Sequence, residues 1–465
     1  GAGFSNWIFE RFEVTGGGDV DELGNPLRSE AGGFYINDNV EGLEFRYLYV
    51  HDNYSDTASS GKAGGISLDH ARKCTIEYCY LKGNGNPVGQ RNSANAQIAI
   101  TADYAYANPT SLASAMHSNM VRYNLIDGES SDVLGGSSIG FVHKGMQRLT
   151  GYDYGETENP ADNEPNGAEY REYGDKIHHN IIRNVPGGLR IDQDYCQVYN
   201  NVVWLKSMSD YSSTAIQTKD ASSSGGRRGS VWPCIYNNTM YGDGEERGVY
   251  FSTGLRSSTS TWDCTVDGNS MEWAYGMAHN NIISNFVSDY DSSYLSVEQS
   301  GLKNCTPPNP VNPSDGHYLL HRNLFYNNPG YNGGSVIRMG NQEYTPAEID
   351  ATPASDITWQ INEGTLFAGS SGADQYKTIG SFQLDESHTI SNGGIGGNHP
   401  YLEGVTLPTY VSATNPEDND WVDGVLGLAT ISNLQNAPSG DPSWIEGTVS
   451  GDEIAPNAPS GLNVS

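Results

Sequence analysis

Residues 175–203 read DKIHHNIIRNVPGGLRIDQDYCQVYNNVV. Ile177, Asn180 and Ile182 set a pattern of an apolar residue, an Asn three positions on and a second apolar residue five positions on, and Val198, Asn201 and Val203 repeat it. The two copies start 21 residues apart, about one turn of a β-solenoid. Between them, GGLRIDQD alternates apolar Leu189 and Ile191 with polar Arg190 and Asp192, the period-two signature of a strand with one buried side.

The pattern extends in both directions. Phe9/Phe12/Val14, Phe45/Leu48/Val50, Ile76/Cys79/Leu81 and Val121/Asn124/Ile126 precede it, with small or apolar substitutes for some Asn. Ile235/Asn238/Met240, Ala278/Asn281/Ile283 and Leu320/Asn323/Phe325 follow. Steps between copies range from 21 to 56 residues, as expected for one coil lengthened by inserted loops. A second repeated strand precedes the triplet, in GGFYIND (32–38), GGISLDH (64–70), AQIAITAD (96–103), SSIGFVHK (137–144) and RGVYFSTG (247–254). Short strands of this kind bury their apolar side only when stacked turn on turn into one continuous core. The Asn residues are then expected to stack at a turn, each side-chain amide bonding the backbone of the neighbouring coil.

This reading predicts an all-β, right-handed parallel β-helix with long inserted loops. A propeller or sandwich requires evenly spaced antiparallel hairpins, which the uneven steps disfavour. Helical periodicity is scarce. Residues 1–445 are expected to form the β-helix domain, with 345–445 less regular and Trp421–Leu434 helix-like. Residues 446–465, ending GDEIAPNAPSGLNVS, look like a Pro-rich linker running into a fibronectin type III or immunoglobulin-like module.

Composition narrows the function. The 465 residues carry 25 Lys+Arg against 56 Asp+Glu, a formal net charge of −31. Nucleic-acid binding needs a positive footprint that this balance lacks. No apolar run reaches the roughly 18 residues of a membrane span. Gly1 already sits at the edge of a strand-like segment, so the expectation is that a leading segment has been removed from a secreted bacterial protein. Cys74, Cys79, Cys196, Cys234, Cys264 and Cys305 show no zinc spacing; in an oxidising compartment some could pair, and packing as buried small hydrophobes is the equal alternative. A monomer is expected.

Outward residues of stacked strands form ladders, so residues distant in sequence converge on one face. Aligning the second strand on Ile66, Ile98, Ile139, Leu189 and Val249, with Ile216 of STAIQTKD added, gathers Asp103, Lys144, Arg190, Asp192, Asp194, Gln217 and Lys219 into one patch. Cations are scarce in this chain, which makes three of them beside three Asp notable. The insertion between Lys144 and Ile177 carries Tyr152, Tyr154, Tyr170, Arg171 and Tyr173, suited to stacking on sugar rings or joining a catalytic set. A second insertion, Asp220–Trp232, offers Arg227 and Arg228 to an anionic ligand, and a third, Thr253–Trp273, holds Trp262 and Cys264.

Two chemistries suit the patch. In β-elimination from a uronate-containing chain, a cation neutralises the carboxylate so that a base can take the C5 proton. Arg190 and Lys144 are candidates for these roles, with His143 and Tyr173 as alternative bases; alternation points His143 inward. A lysine base must be held unprotonated by burial or a neighbouring cation. In hydrolysis, Asp192 and Asp194 would act as acid and base, assisted by Asp103 or Asp69, with a same-face spacing of about 7 Å that favours inversion. A non-catalytic binding solenoid, similar to an adhesin or tailspike, is the third class. Asp19, Asp21 and Asn25 of DVDELGN stand at oxygen-ligand spacing and offer a calcium site, but the segment falls short of the EF-hand pattern and a polar turn is the favoured reading.

SSIGFVHKG (137–145) and GGLRIDQD (187–194), joined through DKIHHNIIRNV (175–185), resemble the β-helix polysaccharide lyases that include chondroitinase B and alginate lyases. The resemblance implies Lys144 as base and Arg190 as charge neutraliser. The acidic pair that binds calcium in that family is replaced here by Ser137 and Ile139, and about 25 extra residues separate Lys144 from Arg190. The large loops and the C-terminal module also resemble fucoidan lyases. The Asp192/Asp194 pair is similar to that of iota-carrageenase and polygalacturonase. The expected partner is an anionic polysaccharide such as alginate or fucoidan.

Overall fold

Each repeat folds into three short strands, because the apolar–Asn–apolar triplet turns a corner at its centre. The computed structural model describes residues 5–15, 32–36, 41–53, 64–85, 96–101, 118–128, 139–144, 174–191, 193, 195–206, 214–218, 233–242, 247–251, 264–266, 269–271, 276–286, 295–297, 318–321, 323–326, 337–339, 342–344, 358–361, 397–398, 406–407, 413 and 420–430. Among them, three long sheets run the length of the molecule, with nine, ten and ten strands. The first sheet starts at Ile8–Glu10 and ends at Tyr318–His321, the second runs from Glu13–Val14 to Thr358–Ile361, and the third from Gly32–Ile36 to Gln342–Tyr344. Pairing is parallel throughout the three sheets, except where Ile337–Met339 meets Gln342–Tyr344. The molecule is a right-handed parallel β-helix.

The coil that begins at Lys176 shows how the sequence closes. Ile177 from the first sheet, Ile182 from the second, and Leu189 and Ile191 from the third all point inward and are buried in one core cluster. Each such side chain contributes about 1.5–3 kcal/mol of burial, which offsets the entropy of ordering a narrow coil. The cluster continues through Phe45, Ile76, Val121, Val198, Ile235 and Ala278, so the first-sheet apolar positions of the repeat form one column.

The Asn stack forms as expected. Asn124, Asn180, Asn201, Asn238, Asn281 and Asn323 lie one above another between the first and second sheets, and all six are buried. In each of the five steps, the backbone N–H and the side-chain amide of one Asn donate to Oδ1 of the next at 2.9–3.3 Å. Each amide also donates to a carbonyl of the preceding coil at 2.8–2.9 Å, as Asn201 does to Ile177. An apolar residue at these places would leave buried backbone groups unpaired.

The residue before five of these Asn, and before Leu48 and Cys79 at the same place in the repeat, makes the bend by adopting a left-handed conformation. Tyr47, Tyr78, Tyr123, His179, Asn200, Asn237 and Asn280 have φ between 50° and 55°. Asn tolerates this region well, whereas Tyr and His do so at a cost of about 1–2 kcal/mol each. Ring stacking offsets it: Tyr47 and Tyr78 lie 5.0 Å apart, and Tyr78 and Tyr123 5.5 Å. At the entry to the third sheet the coil comes so close to its neighbours that glycine is required. A Cβ on Gly140 would sit 2.5 Å from Ile182 Cγ2, and one on Gly65 2.6 Å from the Gln97 carbonyl oxygen.

The helix expected near Trp421–Leu434 is present as Asp420–Gly427. Trp421, Val422 and Val425 are buried in a cluster with Leu125, Ile181, Val202, Ile282 and Leu324, the outward residues of the second sheet. Those outward positions are apolar because the C-terminal segment covers them. The Ala413 N–H also donates to Thr239 Oγ1 at 3.0 Å. Cys74, Cys79, Cys196 and Cys234 are buried thiols outside any disulfide, packed as small hydrophobes rather than paired. Burial pushes the Cys74 thiol up to about 11 and that of Cys79 up to about 12.

Candidate active site

The third sheet carries the candidate site on its outer side. Its first outward column is Ser67, Ala99, Val142, Arg190 and Gln217, paired in register on successive strands. The column changes character along its length. Ser67, Ala99 and Val142 are buried, with Ala99 and Val142 in a small apolar cluster, while Arg190 and Gln217 are half-exposed. The cation therefore stands where the cover over this face ends.

The register corrects one expectation. Alignment on Ile139 put Lys144 level with Asp103 and Asp194, but Phe141 is the residue paired with Ile98 and Leu189. The strand is displaced by two residues relative to that alignment. Lys144 thus pairs with Thr101, which pairs with Asp69. From Phe141 onward a slip of two preserves the expected alternation, whereas a slip of one would have reversed it, while Ile139 joins Ala99 and Val142 in a cluster apart from the main core. The corrected register improves the meeting of Lys144 with Arg190. Val142 faces Arg190 directly, and Lys144 is the next same-side position, so their Cα atoms are about 8 Å apart from strand spacing and rise. Asp69, in the same column as Lys144, is buried with Oδ1 3.5 Å from His70 Nδ1.

His143 lies on the opposite side of the strand. Its ring is wholly buried, edge-on to Phe141 at 4.8 Å, with Nε2 3.1 Å from Asp175 Oδ2. It is therefore out of reach of a polymer on the outer face, which removes it as an alternative base. Asp175 is the residue that inspection of the sequence missed. It occupies the corner before the first sheet, where neighbouring coils have Cys74, Asn119 and Cys196. The backbone N–H and side-chain amide of Asn119 donate to its carboxylate at 2.8–3.1 Å, and its own N–H donates to Gln193 Oε1 at 2.8 Å. The signal was legible: each of these residues stands two positions before an inward apolar residue of the repeat.

Asp103, Asp192, Asp194, Lys219, Tyr152, Tyr154, Arg171, Tyr173, Arg227 and Arg228 lie outside the described residues, as do Asp19, Asp21 and Asn25. Among the described residues, no group of three or more His, Cys, Asp or Glu is placed to hold a metal ion.

The class defined by this geometry is a parallel β-helix with a cationic position on the outer face of its third sheet. No family model and no curated protein matches the chain. Among solved structures it is similar to a PL6 family alginate lyase, AlyGC, at 13% identity and a TM-score of 0.28, covering 86% of this chain and 56% of that one. An arginine-to-alanine mutant of AlyGC gives the same identity and coverage with a TM-score of 0.25. The chain spans little more than half the length of these structures.

Proposed function

We propose that the protein is a secreted polysaccharide lyase that cleaves an anionic, uronate-containing polymer by β-elimination. The observation that supports this reading is the register of Val142 on Arg190, which sets a half-buried arginine beside the backbone of Lys144 on the third sheet. In the proposed reaction Arg190 binds the uronate carboxylate and stabilises the charge that develops as C5 loses its proton. Lys144 takes that proton. The C5–H electron pair forms the C4–C5 double bond, the C4–O bond breaks, and the leaving oxygen is protonated from water or from the Lys144 ammonium. Gln217, directly beside Arg190, is placed to bind an adjoining sugar hydroxyl.

The test is incubation with alginate, fucoidan, chondroitin and pectin while following the ultraviolet absorbance of unsaturated uronate ends. The wild-type protein should generate that signal from at least one polymer, and Lys144→Ala and Arg190→Ala should not. New reducing ends without the absorbance would replace this reading with hydrolysis by Asp192 and Asp194. Binding without any product would make the protein a carbohydrate-binding solenoid.

A further inference from the structure

We infer that the buried pair His143–Asp175 is a positioning device that holds the backbone of Lys144 on the rung beside Arg190; this inference rests on the site proposed above. Two departures from the repeat coincide here. In the inward column of the third sheet, neighbouring coils carry Leu68, Ile100 and Ile191, all fully buried, with the neutral hydroxyl of Thr218 one coil further on, and His143 among these five carries an imidazole. In the corner column, Cys74, Asn119 and Cys196 are uncharged, and Asp175 among them bears a carboxylate. A buried imidazole facing a buried carboxylate costs desolvation that an aliphatic residue at either place would avoid. The two lie 3.1 Å apart, so each compensates the other.

Their location gives the pair its role. His143 immediately precedes Lys144, and Asp175 follows the long segment 145–173, so the contact clamps both ends of that insertion. Asp175 reaches the next coil as well, because its N–H is held by Gln193 Oε1, two residues beyond Ile191 of the Arg190 strand. One buried network therefore ties the end of the Lys144 strand to the end of the Arg190 strand from inside the coil. Three donors from Asn119 and His143 converge on the carboxylate, and His143 Nδ1 has no hydrogen-bond partner among the described residues. Among the described residues the hydrogen bond that orients the ring is the one from Nε2 to Asp175, with Phe141 packed on its edge, and the next residue inherits that orientation.

The experiment compares wild type, His143→Leu, which copies Leu68, and Asp175→Asn, which keeps the shape of the side chain. The methyl-carbon resonance of dimethylated Lys144, assigned with Lys144→Ala, reports its surroundings without reference to any substrate. Both variants should shift and broaden the Lys144 resonance while leaving the other lysines in place. On a polymer that the wild type cleaves, kcat should fall roughly 10- to 100-fold with KM within about twofold, as displacement of a reacting group by about an ångström would cause. An unchanged Lys144 resonance in whichever variants retain the wild-type fold overturns the inference, and so does an undiminished kcat. If the wild type cleaves nothing, the proposed function falls while the Lys144 resonance still decides the positioning role.

Discussion

His179 Nδ1 lies 2.7 Å from His178 Nδ1, and Asn200 Nδ2 lies 3.2 Å from His179 Nε2. Asn200 can only donate at that nitrogen, so His179 accepts at Nε2 and donates its Nδ1 proton to His178. Both rings are neutral in this chain of bonds.

Acid stability follows from that pair. Burial, then the neighbouring His179, Arg122 and Lys176 charges, hold His178 well below its ordinary value, and burial with Arg122 brings His179 down to about 3 from 6.5. A depressed histidine binds more protons when unfolded, so its stabilisation is complete above pH 6.5 and is lost as pH falls towards about 3. Urea denaturation across this range should show that decline. His179→Asn, which copies Asn200 and Asn237 in the same left-handed column, should flatten it.

Asn201→Ala should destabilise the coil without altering its course. The substitution leaves the Oδ1 acceptor missing for Asn180 and removes the donors to Ile177 and Asn238. With buried groups left unpaired, a loss of about 1–3 kcal/mol is expected in chemical denaturation. The same substitution at an exposed Asn should cost far less.

Trp421→Ala tests the C-terminal cover. Trp421 is buried on the second sheet and edge-on to His179 at 5.1 Å. Its truncation should cost roughly 3–5 kcal/mol in the unfolding free energy. Faster hydrogen exchange at Ile181 and Val202 is the accompanying observation.

Gly140→Ala should be destabilising although alanine is the better strand former. Its Cβ would press on Ile182 Cγ2 and the Gly188 carbonyl oxygen, both held in the stack. Overpacking of this kind costs about 1–3 kcal/mol, read as a lower melting temperature.

Arg190→Gln separates charge from packing. The variant copies Gln217 on the next strand, so the ladder should survive with stability within about 0.5 kcal/mol. Under the proposed chemistry the elimination rate should fall roughly 100- to 1000-fold, since the charge stabilising the transition state is removed. Equal rates for both proteins would exclude Arg190 from the reaction.

The solenoid was legible because its determinants are local and repeated. Val198, Asn201 and Val203 announce one coil, and the same triplet elsewhere announces the others. The division of each triplet between two sheets was less visible, since the bend falls on residues as unlike as Tyr78, His179 and Asn237. What unites them is a backbone conformation. Within the candidate site the register of one strand was not legible: Ile139 and Phe141 both satisfy the apolar pattern, and only pairing with Ile98 distinguishes them.

Apolar periodicity, the Asn spacing and the strand-entry glycines are properties of single positions, and these by themselves determined a stacked parallel coil with an interior and an exterior. Tertiary structure alone decided how far each exterior position is covered, because Val142 is buried and Arg190 only half-buried although they are paired in register. It alone joined His143 to Asp175 across an insertion whose length varies freely between repeats. Contacts between coils depend on registry and on where each loop returns, and a sequence read one residue at a time carries neither.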